Sequence, residues 1–158
     1  MFKVNIYIDS SIKSVKKQTG WYGAIIEYIK SNGEPEPREL YEKVETTRNH
    51  IMLIALVESL KILKKQCDVV ISMNCPYVCN NIVRDSIRQW KLNGWRTARN
   101  EPVANKEEWQ QLDELLVKYD HKLTFRYDKD NKYHEKNLEE IQIRKDGCEK
   151  WEQQRLLQ

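Results

Sequence analysis

The stretch VNIYIDS, residues 4–10, alternates apolar and polar side chains. Val4, Ile6 and Ile8 fall on one face of an extended segment, and polar residues lie between them. Alternation with a period of two is typical of a half-buried β-strand. We therefore predict that the chain opens with a strand and that this strand ends at an acid, Asp9.

More strands and a change of period follow. Glycines at residues 20 and 23 precede a strand at 24–30, and an Asn-Gly turn at 31–34 leads to a third strand near 38–44. Apolar residues then recur at helical spacing. The remaining predicted elements are helix 46–65, strand 69–71, helix 77–89, helix 106–119, strand 122–127 and a last helix that starts within 135–143. This order predicts an α/β fold, with a mixed five-stranded sheet flanked by helices.

Length and composition restrict the class of protein. The 158 residues, 40% apolar and 32% charged, suit one globular domain. We find no apolar run of the roughly 18 residues that a membrane span needs, and no signal-peptide pattern at the start. The scattered cysteines, Cys67, Cys75, Cys79 and Cys148, favour buried thiols over a zinc site and predict a cytoplasmic location.

One segment is strongly basic. Its basic residues, set against one acid, Asp85, are Arg84, Arg88, Lys91, Arg96 and Arg99. Trp90 and Trp95 lie among them, and basic residues interleaved with aromatic ones suit a nucleic-acid backbone. A solvated basic helix face explains the composition equally well, so both interpretations stay open at this point. We expect the tryptophans to pack this segment, the basic handle (residues 84–99), against the core.

Several stretches of the chain resemble type 1 ribonuclease H. The segments that carry the resemblance, in the order of the family, are residues 6–11, 20–24, 53–61, 70–72, 77–82, 90–98 and 102–109. The stretch WKLNGWRTA at 90–98 is similar to the family's basic handle, which grips RNA/DNA hybrids. The resemblance runs from about residue 4 to residue 143. It implies the ribonuclease H fold.

The resemblance also implies where a catalytic site would lie. The family uses four carboxylates to hold two magnesium ions, which stabilise the attacking water and the leaving oxygen in phosphodiester cleavage. The corresponding positions here are Asp9, Met52, Asn74 and Ile141. Because three of them are not acids, we predict no catalytic residues and no metal or other cofactor, apart from weak binding of a single ion at Asp9.

The expected function follows from these losses. We predict a ribonuclease H-like pseudoenzyme that is not an enzyme and binds RNA-containing duplex, an RNA/DNA hybrid or structured RNA, without cutting it. The predicted contacts are the five basic residues of the handle together with Thr47 and Asn49. Two alternatives remain: a protein-interaction subunit or inhibitor in a nucleic-acid-processing machine, and a residual metal-dependent endoribonuclease.

The end of the chain is predicted to be a separate segment. We expect a ribonuclease H-like domain over residues 1–146 and a C-terminal helical tail over 147–158. Cys148, Trp151, Leu156 and Leu157 are spaced along that tail. They are expected either to contact a protein partner or to pack back on the domain.

Overall fold

Five strands form one mixed sheet in the computed structural model, which describes residues 1–157. The strands are β1 (Phe2–Ser10), β2 (Gln18–Ile29), β3 (Pro35–Thr46), β4 (Cys67–Met73) and β5 (Lys122–Tyr127). Their order is β3-β2-β1-β4-β5, with β1–β2 and β2–β3 antiparallel and β1–β4 and β4–β5 parallel. The predicted α/β fold with a mixed five-stranded sheet is confirmed.

Five helices accompany the sheet: α1 (Arg48–Lys61), α2 (Pro76–Val83), α3 (Ser86–Leu92), α4 (Lys106–Tyr119) and α5 (His134–Leu156). The single helix predicted over 77–89 is wrong, because the chain breaks it into α2 and α3. Asp85 at the break has φ 57°, a left-handed conformation that a continuous helix does not tolerate. The predicted helix 46–65 is shorter than expected and ends at Lys61.

The core lies between the sheet and α1. Val4, Ile6 and Ile8 of β1 are at most 1% exposed and belong to one cluster with Leu53 and Leu56 of α1. The alternation in β1 therefore sends Val4, Ile6 and Ile8 into the core, and Asp9 falls on the opposite face. Burial of this apolar surface is the main favourable contribution to folding.

The predicted boundary between domain and tail falls inside α5, which is continuous from His134 to Leu156. Trp151 is 59% exposed, and Leu156 and Leu157 are more exposed still. Leu156 and Leu157 therefore do not pack back on the domain, whereas Cys148 is half-buried and, with Trp151, lies beside Trp21 of β2. Gln158 lies outside the described residues, and the division at residue 146 and the partner surface on the tail stay predictions.

Within residues 1–157, none of the helices combines the length and the apolar character needed to cross a lipid bilayer. The cytoplasmic location stays a prediction.

Candidate active site

Asp9, at the end of β1, is held by three side chains from the far end of the sequence. Asn131 Nδ2 donates to both carboxylate oxygens, at 3.2 and 3.1 Å, and Asn137 Nδ2 donates to Oδ2 at 2.7 Å. His134 Nδ1 lies 2.6 Å from Oδ1. Asp9 is only 7% exposed, so these contacts replace water around a nearly buried carboxylate.

The support behind Asp9 extends across the sheet. Tyr41 on β3 donates its hydroxyl to Asn137 Oδ1 at 2.9 Å, which orients the Asn137 amide toward Asp9. Gly23, the register partner of Asp9 on β2, leaves room for this arrangement. A Cβ at Gly23 would lie 2.7 Å from Cε1 of Tyr41, so a side chain there would push the ring away.

A cavity of about 300 Å³ opens beside Asp9. Lys13, Arg48 and Lys129 line it together with His134, and all three cations are exposed. In the part of the chain that the structure describes, none of these three pairs with a carboxylate. The cavity therefore attracts anions.

The four positions assigned from the family are only partly brought together. Asp9, Met52 and Asn74 line the cavity, whereas Ile141 is 3% exposed and is not among the lining residues. Residues 1–157 contain no group of three or more His, Cys, Asp or Glu side chains that could hold a metal ion. A two-metal centre does not fit this donor set, because one acid surrounded by cations cannot compensate two divalent charges.

A buried carboxylate, Glu27 on β2, fixes the segment that carries Asn131 and His134. Tyr133 Oη donates to Glu27 Oε2 at 2.6 Å, and Lys132 Nζ donates to the same oxygen at 3.0 Å. Burial acts to raise the pKa of Glu27, but hydrogen bonds from Tyr133, Lys132 and Asn5 outweigh it and hold the pKa below its ordinary value. Glu27 therefore stays charged and anchors this loop on the sheet.

The stability of this anchor should depend on pH. Because the pKa of Glu27 is lowered on folding, its contribution is complete above the ordinary value of 4.5 and is lost as the pH falls through the folded-state pKa. We expect the difference in unfolding free energy between the natural chain and Glu27→Gln to be largest at neutral pH and to shrink in acid. Urea unfolding at several pH values measures it. Glu45→Gln, on the exposed surface of β3, is the matched control. A difference that does not vary with pH would contradict the charged anchor.

The predicted nucleic-acid contacts form two groups. Thr47 is the N-cap of α1, where its side chain accepts a hydrogen bond from the backbone of His50 at 3.4 Å. Asn49 Oδ1 lies 3.8 Å from the sulfur of Cys75. Both residues flank Arg48, which lines the cavity. Their roles in binding stay predictions.

The basic handle consists of the link between α2 and α3, α3 itself and the loop that follows it. Arg84, Arg88 and Arg99 are exposed, whereas Lys91 pairs with Asp113 at 3.0 Å. Arg96 donates to the carbonyl of Asn100 at 2.8 Å. These contacts hold the handle in a defined conformation. Its role in nucleic-acid binding stays a prediction.

Tryptophans connect the handle to the body of the protein, as predicted. Trp90 and Trp95 are partly buried against the core, and the Trp90 ring lies 5.3 Å from that of Trp109 in an edge-to-face arrangement. The Trp95 backbone donates to the Trp90 carbonyl at 2.7 Å, which closes the turn around Gly94. This packing fixes the position of the basic residues.

Sequence reasoning missed His134 as a site residue. His134 and Asp9 are 125 positions apart, and nothing in the local pattern around either one indicates their contact. Lys13, Arg48 and Lys129 were missed for the same reason. A usable signal was present: His134 lies seven residues before Ile141, one of the four positions that the resemblance to the family indicated.

The chain is similar to named ribonucleases and to solved structures. A protein named Ribonuclease H from Acetivibrio thermocellus is 39% identical over 115 residues, which is 73% of this chain and 75% of the relative. The crystal structure of LC9-RNase H1, described as a type 1 RNase H with the type 2 active-site motif, has a TM-score of 0.65 at 18% identity. The match covers 80% of this chain and 63% of that one, so the chain spans less than two thirds of its length.

A second structure was solved with a nucleic acid. The foamy viral protease-reverse transcriptase in complex with RNA/DNA hybrid has a TM-score of 0.63 at 15% identity. The match covers 79% of this chain and 17% of the viral one. At this identity the likeness shows the shared fold.

The prediction of a pseudoenzyme is wrong. The relatives that this chain matches at 36–39% identity are named Ribonuclease H, which indicates an enzyme. The prediction equated activity with the number of carboxylates at four positions. It overlooked the pairing of Asp9 with His134 beside a cavity lined by three cations. The predicted function, binding of RNA-containing duplex without cleavage, is therefore wrong as well.

The match to known proteins extends over most of the chain. The model of the RNase H family matches residues 2–139, which include all five strands and the cavity beside Asp9. This chain belongs to the RNase H family.

Proposed function

We propose that the chain is an endoribonuclease that cuts the RNA strand of RNA/DNA hybrids. The observation that carries the proposal is the Asp9–His134 pair, 2.6 Å apart, in a cavity lined by three cations. The naming of the relatives supports the activity. The solved complex of a structural neighbour with an RNA/DNA hybrid supports the substrate.

The pair is suited to accept a proton. The Asp9 carboxylate has only acceptors, so His134 donates Nδ1–H to it, and in the neutral imidazole this leaves the lone pair on Nε2. His134 is partly exposed and lines the cavity, within reach of a bound phosphodiester. In the proposed step, Nε2 takes a proton from water as the water oxygen bonds to phosphorus. The bond from phosphorus to the 3′ oxygen breaks, and solvent protonates the leaving oxygen.

The cations carry the electrostatic part of the proposal. Lys13, Arg48 and Lys129 surround the cavity, and Arg48 Nη1 is placed by a contact of 3.5 Å with the Lys13 carbonyl. Ammonium and guanidinium groups aimed at phosphate oxygens stabilise the charge that develops during the transfer. Because the residues around Asp9 do not fit the family's two metal ions, the proposal needs no metal or other cofactor.

The basic handle supplies the longer-range binding. Its side chains are exposed and held in place by the tryptophan packing. Phosphate contacts account for much of the affinity of proteins for duplexes and are independent of base sequence. The handle thus holds the duplex while the cavity beside Asp9 receives one phosphodiester.

Neutralising the handle should weaken binding to many sequences alike. We expect the combined change of Arg88, Lys91, Arg96 and Arg99 to Gln to flatten the dependence of log affinity on log salt concentration, by about one unit for each phosphate that the handle no longer neutralises. The measurement is a binding titration of a labelled hybrid at several salt concentrations. Folding should change little, since surface substitutions usually alter stability by about 0.5 kcal/mol or less.

The matched control removes four charges elsewhere. It changes exposed lysines outside the handle to Gln: Lys118, Lys122, Lys145 and Lys150. Equal affinities and equal salt slopes in the two variants would show that the handle is not part of the surface that binds the duplex.

Cleavage of a hybrid with labelled RNA tests the proposed function. We expect the RNA strand to be cut both with magnesium and with a chelator in its place, and a matched DNA duplex to stay intact. His134→Gln purified in the same way controls for contaminating nucleases. No RNA cleavage under either condition would overturn the proposed activity. Cleavage that requires magnesium would overturn the metal-free chemistry and leave the activity standing.

A further inference from the structure

A second cavity, larger than the one beside Asp9, lies at the other end of the sheet. Its volume is about 580 Å³, within the range of small-molecule sites. It forms where β1 and β3 begin, β2 ends, and the chain leaves α1 for β4. Phe2 in this cavity and Asp9 are seven residues apart along β1, about 23 Å at the usual strand rise. The two cavities are therefore separate sites.

The charges around this second cavity have one predominant sign. Five cations line it against a single carboxylate, Glu36; they are Lys3, Lys30, Arg38, Lys64 and Lys65. Among residues 1–157, none of the five forms an ion pair. Lysines near the end of a helix can complement its dipole, which would explain Lys64 and Lys65. It does not explain Lys3, Lys30 and Arg38, which come from β1, the β2–β3 turn and β3.

Two aromatic rings lie among these charges. Phe2 is 55% exposed, and Lys65 Nζ lies 5.5 Å from the centre of its ring. Arg38 Cζ lies 5.4 Å from the centre of the Tyr28 ring. A large, exposed aromatic side chain next to unpaired cations offers a stacking surface for a planar group and charges for an attached anion.

We propose that this cavity binds a nucleoside triphosphate. The lysines would contact the phosphates, and the base would stack on Phe2 and Tyr28. A triphosphate carries enough negative charge to match the excess of cations, whereas an uncharged nucleoside would leave them unpaired. The ligand class follows from this combination of charge, aromatic surface and volume, and it is independent of the cleavage chemistry at Asp9.

Calorimetry on the full chain tests the proposal, with a chelator present so that no metal contributes. ATP is expected to bind, and tripolyphosphate and adenosine are each expected to bind at least about tenfold more weakly, because each lacks one half of the recognised groups. Lys30→Gln combined with Lys65→Gln should lower ATP affinity by tenfold or more, since contacts of a charged group each contribute enough for that change. Phe2→Ala should lower the affinity for ATP and leave that for tripolyphosphate unchanged.

The matched control is Lys16→Gln with Lys17→Gln, which removes the same charge from an exposed loop outside this cavity. It should bind ATP as the natural chain does. If tripolyphosphate bound as tightly as ATP, the cavity would recognise only the anion and not the nucleoside, which would overturn the proposal. A short oligothymidylate that displaces ATP and binds more tightly would also overturn it, in favour of a single-stranded nucleic acid. Equal losses in the two lysine variants would show a general charge effect and would exclude the cavity as a site.

Discussion

Replacement of His134 by glutamine is expected to lower the rate of RNA cleavage in a hybrid by about 10²- to 10⁴-fold, the usual contribution of a positioned acid–base group. Glutamine can still donate an N–H to Asp9, whose Oδ1 lies 2.6 Å from His134 Nδ1 in the natural chain. It has no basic nitrogen, so the variant keeps the support of the loop and loses the proton acceptor. Single-turnover cleavage of a hybrid with labelled RNA measures the effect.

Asp9→Asn should reduce the rate as well, for a different reason. The carboxylate accepts from Asn131, His134 and Asn137, and an amide at this position would bring a donor against these donors. Asp9→Asn should therefore also lower thermal stability, whereas His134→Gln should not. Asp130→Asn is the matched control, since Asp130 is an exposed acid that directly precedes Asn131 in the sequence. A His134→Gln variant that cuts within about threefold of the natural chain would exclude His134 from the chemistry.

The second large effect concerns the core. Trp109→Ala is expected to lower the free energy of unfolding by about 3–5 kcal/mol, the range found for removal of a large aromatic side chain from a core. The Trp109 side chain is fully buried, and its Nε1 donates to the Tyr77 hydroxyl at 2.9 Å. Its removal would leave a cavity and take away the donor whose hydrogen bond Tyr77 accepts. Chemical denaturation followed by circular dichroism measures the change.

Trp151→Ala provides the matched control, because Trp151 is 59% exposed on α5. We expect a change of about 0.5 kcal/mol or less for it. The Trp109 ring also contacts Trp90, so the folded fraction of Trp109→Ala should bind a hybrid more weakly through a loosened handle. Similar losses of stability in the two variants would mean that burial of the Trp109 side chain does not contribute the expected stability.

Local patterns in the sequence determined most of the fold. Alternation at residues 4–8 predicted β1, and the apolar spacing at 106–119 and the alternation at 122–127 predicted α4 and β5 with the observed bounds. Such patterns work because a strand or a helix must bury one face, and the period of that face is set by local backbone geometry. The resemblance in motif order then indicated how these elements assemble, and the family match confirmed it.

The break between α2 and α3 was not determined in this way. The segment 77–89 has no proline or glycine, so its pattern predicted one helix. Asp85 nevertheless adopts a left-handed conformation, which lets Ile87 point into the core from α3. Tertiary packing overrode local preference here, as it does where the burial of an apolar side chain outweighs the cost of an unfavourable backbone angle.

The pairing of Asp9 with His134 was decided by the tertiary structure alone. Asp9 could be identified from the sequence as the acid at the end of a strand, but its partners lie 122 to 128 residues away. The antiparallel step from β1 to β2, the anchor at Glu27 and the start of α5 together bring His134 to Asp9. A hydrogen bond is sensitive to differences of a few tenths of an ångström in the donor–acceptor distance. Residue spacing indicates which side chains are neighbours within one helix or strand, but not which residues meet from distant parts of the chain. Counting acids at aligned positions therefore led to the wrong prediction of a protein without activity.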